Sequence, residues 1–178
     1  MPPPRPCAEC TLCCKVLHIE DPALTKAGGV WCPQVVAGSG CGIYETRPAT
    51  CRRYQCAWTI SPHMGEDWRP DRAGFLAHRS DDGTLHVIVD EDRPDDWKRE
   101  PYYSTIRGWS LRRGEGNDTM IVVHARGHQL VVFPEAEIDV GPVSNDPIYS
   151  GYELNDGKRV PYARYNIPHP NDVPPRRR

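Results

Sequence analysis

From about Gly65 onward, apolar and polar residues alternate between turn signals, the period-two pattern of half-buried strands. Residues 73–79 and 84–90 flank Ser80-Asp81-Asp82-Gly83, which predicts two strands joined by a short loop. A second predicted hairpin pairs residues 119–124 with 128–133 across Ala125-Arg126-Gly127. A third surrounds Asn155-Asp156-Gly157, between residues 148–154 and 159–165. Between the first two hairpins, Tyr102, Ile106 and Trp109 recur at i, i+4 and i+7, which fits one amphipathic helix begun after Pro101. The pattern predicts an α+β module, a small antiparallel sheet of hairpins with one covering helix and one face to bury.

The first third of the chain shows no such period. Gly38, Gly40 and Gly42 permit tight turns there. Residues 50–58 predict a short helix with Thr50 as a possible N-cap. Pro62, Gly65 and Pro70 interrupt regular structure across residues 61–72. The expected organisation is a loop-dominated lobe with short helices at 1–66, the sheet module at 67–170 packed against it, and a disordered tail at 171–178 ending in three arginines. Trp58 and Trp68 are expected to anchor the packing.

Cysteine usage changes this picture most. All 8 cysteines lie between Cys7 and Cys56, and none follows in a chain of 178 residues. So short a segment cannot bury enough apolar surface to offset its chain entropy, and cross-links usually replace a core in such cases. The start MPPPRPCAEC reads as no signal peptide, and no apolar run is long enough to span a membrane, so the chain is expected in the cytosol. A reducing compartment favours metal ligation over disulfides.

Spacing points the same way. Cys7, Cys10, Cys13 and Cys14 form a CxxCxxCC run, in which two intervening residues let a tight turn aim two thiolates at one metal. Cys7, Cys10 and Cys13 also have the spacing of the first three ligands of a ferredoxin-type run, the fourth coming from a distance. Cys14 is expected to serve a second centre or an outer position, because neighbouring side chains usually diverge. Cys32, Cys41, Cys51 and Cys56 stand at loop-closing distances and are expected to fold back over the first group. On one helix Cys51 and Cys56 would share only loosely related faces, unless the helix ends between them.

Four thiolates around a divalent ion leave a net charge near −2, and Lys15, Arg47, Arg52 and Arg53 are placed in sequence to offset it. The alternative is a solvated basic face adjoining the site. Of the seven histidines, His18 and His63 stand nearest the cysteines and would ligate if one thiol is unused; a surface role is the simpler reading. His124 and His128 flank a predicted turn and are expected to approach each other.

The order CxxCxxCC, then Cys32-Pro33, then Cys41-Gly42-Ile43-Tyr44-Glu45-Thr46-Arg47-Pro48, then Cys51-Arg52-Arg53-Tyr54-Gln55-Cys56 resembles the YkgJ-type cysteine-cluster family, whose domain is described as zinc- or iron-chelating. The resemblance covers residues 7–58 and gives each of the eight family cysteines a counterpart here. It implies a metal site and a fold but no reaction. A similar cluster occurs in flagellin lysine methylases, as part of a larger enzyme.

No P-loop, GxGxxG after a strand, GxSxG or HExxH is present, so no reaction is assigned. A formal net charge of −2 disfavours general nucleic-acid binding. The leading expectation is a metal-binding protein, with an iron–sulfur cluster favoured narrowly over zinc. An iron–sulfur-dependent redox or protein-modifying enzyme is the alternative, and a zinc module contacting nucleic acid through Arg47, Arg52 and Arg53 a weaker one. Neither a protein partner nor an oligomeric state can be read from the sequence.

Overall fold

The computed structural model describes residues 5–7, 9–110 and 119–165. The expected tail at 171–178 and His169 lie outside the described residues. Among these, the helices and strands give an α+β fold: α1 (Leu12–Val16), β1 (Ile19–Asp21), β2 (Leu24–Lys26), β3 (Val35–Val36), β4 (Gly40–Cys41), α2 (Ala49–Arg53), α3 (Ala57–Ile60), α4 (Pro70–Ala73), β5 (Phe75–Arg79), β6 (Leu85–Val89), α5 (Tyr102–Ser110), β7 (Ile121–Ala125), β8 (His128–Val132), β9 (Glu137–Pro142), β10 (Ile148–Asn155) and β11 (Lys158–Tyr165). β5 to β9 lie in sequence order in one five-stranded sheet, and β1–β2, β3–β4 and β10–β11 form separate two-stranded antiparallel sheets. The chain divides into two compact units, Met1–His78 with Ile88–Trp97, and Arg79–Val87 with Lys98–Arg178.

The first unit is built from short pieces. Its apolar cluster centres on Cys56, Trp58 and Leu76, with Cys13, Val16, Leu17, Tyr54, Met64, Trp68 and Ile88 packed around them. Trp58 Nε1 donates to the Gly65 carbonyl at 3.1 Å, and Trp68 meets Phe75 edge-on at 5.9 Å. Both tryptophans therefore anchor packing, as the sequence suggests. Pro70 opens α4 at a position where its missing N–H costs nothing, and Gly74 ends it with φ +80°. A Cβ on Gly74 would lie 2.7 Å from Asp96 Oδ2, so this position admits no side chain without rearrangement.

The expected helix at 50–58 is broken in two. Tyr54 is extended, with ψ 128°, and α3 starts afresh after Cys56. Thr50 is not the N-cap; Pro48 holds that position. Instead the Thr50 N–H and hydroxyl both donate to Asp21 Oδ2 at 3.1 Å, which ties α2 to β1.

In the second unit β7 and β8 pair antiparallel, with Val122 opposite Val131 and Ala125 opposite His128. The turn is the two residues Arg126 and Gly127, both at positive φ, as a tight hairpin requires. β7 is buried on both faces rather than one: Ile121, Val122 and Val123 are each 0% exposed. α5 packs on β7 and β8. The opposite face, with Val122, Val131 and Phe133, is covered by Ile148 and Tyr152 of β10 and Ala163 of β11. The third predicted hairpin thus forms, but as a separate ribbon laid over the sheet. Apolar side chains on successive residues of β7 need cover on both sides, and one helix supplies only half of it.

Candidate metal centre

All eight cysteines are free thiols, and all eight line one cavity of about 460 Å³ in the first unit. Backbone hydrogen bonds assemble it. Cys10 N–H bonds to the Cys7 carbonyl at 2.9 Å, closing the first CxxC turn, and α1 then carries Cys13 and Cys14. Arg5 N–H donates to the Thr59 carbonyl at 2.8 Å, and the Arg5 guanidinium lies 5.0 Å from the Trp58 ring. These contacts bring the segment leading to Cys7 alongside α3, which Cys56 precedes. Cys32 N–H bonds to the Cys14 carbonyl at 2.9 Å, and Val35 N–H to the Cys32 carbonyl at 3.1 Å. Val35 in turn pairs with Cys41 across β3–β4.

Cys13 and Cys14 do not diverge as neighbours usually do. Their sulfurs are 4.0 Å apart, so Cys14 lies beside the first group. Among the described residues, no three His, Cys, Asp or Glu side chains converge tightly enough to hold one ion as they stand.

Burial and local charge set the thiols apart. Cys13 donates to Cys14, which holds Cys13 protonated, reinforced by burial, and draws Cys14 down to about 7; burial opposes the fall in Cys14, while Lys26 and Arg47 assist it. Burial pushes Cys10 up to about 11, although the amides of Leu12 and Asp71 favour its thiolate. Burial also raises Cys56, against the pull of the Trp58, Thr59 and Ala77 amides; no formed side-chain cap bond accompanies them at α3. Cys51 is raised by burial and by the charges of Cys14, Cys32 and Cys41. Amides directed at sulfur are the usual outer support of a metal-bound thiolate.

Of the expected cations, Arg47 and Arg53 line the cavity. Arg47 is fixed by its Nε bond to the Tyr44 carbonyl at 2.9 Å and lies 3.7 Å from the Tyr44 ring. Arg52 is exposed and is not among the lining residues. Lys15 is engaged elsewhere, its ammonium 2.5 Å from both Asp90 and Asp92. The cation missed from sequence is Lys26. It is buried at 7% exposure, donates to the carbonyls of Lys15, Leu17 and Ala27, and thereby satisfies the open end of α1. Burial lowers its pKa, opposed by the thiols Cys32, Cys14, Cys13 and Cys51. No cysteine-like spacing marks Lys26; only its place at the end of a short strand hinted at burial.

Two further residues were also missed. Tyr54 lines the cavity, and its hydroxyl is buried without a hydrogen-bond partner. Burial raises it well above the usual phenol range, as do Cys56, Cys13, Cys7 and Cys10. His78 lines the cavity, edge-on to Tyr54 at 5.5 Å. His18 also lines it, mostly exposed and 3.7 Å from Glu20, whereas His63 is exposed and not among the lining residues. His124 and His128 do not approach each other. His124 Nε2 faces His86 Nδ1 at 2.9 Å, and His128 faces Asp139 at 2.9 Å. A two-residue turn brings Ala125, not His124, opposite His128.

No protein-family model matches the chain, and neither a curated protein nor a solved structure does.

Proposed function

We propose that this chain is a cytosolic metal-binding protein of the YkgJ type, whose eight cysteines hold an iron–sulfur cluster in preference to zinc. One observation carries the proposal: eight thiols from six separate segments line a single cavity. Thiolates in such numbers, without disulfides, suit iron–sulfur clusters and zinc above other metals. The buried Tyr54 hydroxyl has no hydrogen-bond partner and thiolate or sulfide sulfur would accept from it, while the amides directed at the sulfurs of Cys10 and Cys56 favour their thiolate forms.

The preference for iron–sulfur rests on spacing and room. A tetrahedral zinc draws its four sulfurs to within about 3.8 Å of one another. Bridging sulfides spread the terminal thiolates wider, which fits a cavity of about 460 Å³ better. Placement in the cytosol follows from the chemistry proposed, since reducing conditions keep unligated thiols from pairing. The described residues include no helix long and apolar enough to cross a membrane.

Anaerobic isolation followed by elemental analysis and a visible spectrum tests this reading. The expected protein is brown and carries iron with acid-labile sulfide. Colourless protein with stoichiometric zinc would overturn the iron–sulfur assignment, and protein that is isolated without either metal and takes up neither on anaerobic reconstitution would overturn the proposal.

A further inference from the structure

We infer that the cavity holds two metal centres, one on Cys7, Cys10, Cys13 and Cys56 and the other on Cys14, Cys32, Cys41 and Cys51, and that the Tyr54 hydroxyl hydrogen-bonds to the first alone. The inference rests on the metal-binding reading above and assigns each thiol within it.

Geometry separates the sets. Cys7, Cys10, Cys13 and Cys56, which line the main cavity, also share a small recess on their other side that no other cysteine lines, closed by Trp58, Pro70 and Leu76 among others. The Cys7–Cys10 turn bond and the Arg5–Thr59 bond bring these residues to the start of α3, and Cys13 packs on the Cys56–Trp58–Leu76 cluster. The remaining four are joined by a different framework. Cys32 is bonded to the Cys14 backbone, Val35 to Cys32, and Cys41 pairs with Val35. Cys51 sits on α2, which Asp21 binds through Thr50. Consecutive residues on α1 thus serve different centres, with the sulfurs of Cys13 and Cys14 only 4.0 Å apart at the junction.

The surroundings of the two sets differ in kind. The first is walled by tryptophan, proline and leucine, and Tyr54, whose buried hydroxyl has no partner, packs with Cys13 on the Cys56–Trp58–Leu76 cluster. The second faces cations: Lys26 is buried against the end of α1, and Arg47 is fixed on Tyr44. An apolar wall with one neutral donor and a pair of cations stabilise the charge of a thiolate centre to different extents, so the two centres should be spectroscopically distinct.

The test uses the anaerobically isolated full chain and reads metal content, sulfide content and the electron paramagnetic resonance spectrum after reduction. Wild type should contain the metal of two centres; the metal of only one would overturn the partition. Cys13→Ser and Cys56→Ser should each retain about half of the wild-type metal and lose the same signal, whereas Cys14→Ser and Cys51→Ser should lose the other. Complete loss in all four, or a grouping of Cys13 with Cys14, contradicts the assignment. Tyr54→Phe keeps every thiol and guards against variants that fail to fold. It should shift only the signal missing from Cys56→Ser, and a shift in the other signal, or in neither, overturns the role of Tyr54. Wild-type protein that binds no metal defeats the proposed function itself, while a loaded wild type with mis-grouped variants defeats only the partition.

Discussion

Cys14 and Cys10 are shifted in opposite directions. Cys14 is drawn down to about 7, chiefly because Cys13 donates to it, while Cys10 is pushed up to about 11 by burial. In metal-free protein, iodoacetamide should therefore modify Cys14 before Cys10, with a rate at Cys14 that rises through about pH 7, and should reach Cys10 only in strong alkali; peptide mass spectrometry reads both. Equal rates at pH 7.5 would contradict the asymmetry. The sign for stability is opposite to that for loading. A folded Cys10 keeps its proton above the ordinary value of 9.0, so its contribution to the metal-free fold is full below pH 9 and fades towards about 11. Metal uptake requires the thiolate and strengthens over that same range. At this scale the cysteines were legible, because CxxC spacing is itself a local geometric statement. Lys26, Tyr54 and His78 were not, since their places at the cavity depend on contacts distant in sequence.

Among the elements, α1 carries the two cysteines at the junction and is held from both sides. Lys26 binds its terminal carbonyls, and Lys15 meets Asp90 and Asp92. Burial pulls the Lys15 pKa down, yet the two carboxylates outweigh it and leave it raised. Lys15 and Asp90 side chains are each only 9% exposed, so removing the lysine strands a buried carboxylate. Lys15→Met should cost about 3 kcal/mol in urea unfolding of the metal-free protein, and a loss below about 1 kcal/mol would show that the pair behaves like a surface one. The hairpins at β7–β8 and β10–β11 were legible because Arg126-Gly127 and Asp156-Gly157 form two-residue turns at positive φ. The break in the predicted helix over 50–58 was not, because nothing local marks Tyr54 as extended. That break separates Cys51 on α2 from Cys56 ahead of α3, the condition under which both can face one cavity.

At the scale of the whole molecule, apolar burial and thiols divide the labour. The second unit encloses Val122, Val131 and Phe133 at 0% exposure and has an apolar core of the ordinary kind. The first unit has a cluster two of whose members, Cys13 and Cys56, also line the cavity, so its packing and its chemistry are made by the same residues. X-ray absorption at the metal edge of anaerobically isolated protein tests the central claim most directly. The account predicts a first shell of sulfur alone at about 2.3 Å with metal–metal scattering behind it. A shell of nitrogen and oxygen, with no sulfur, would contradict it.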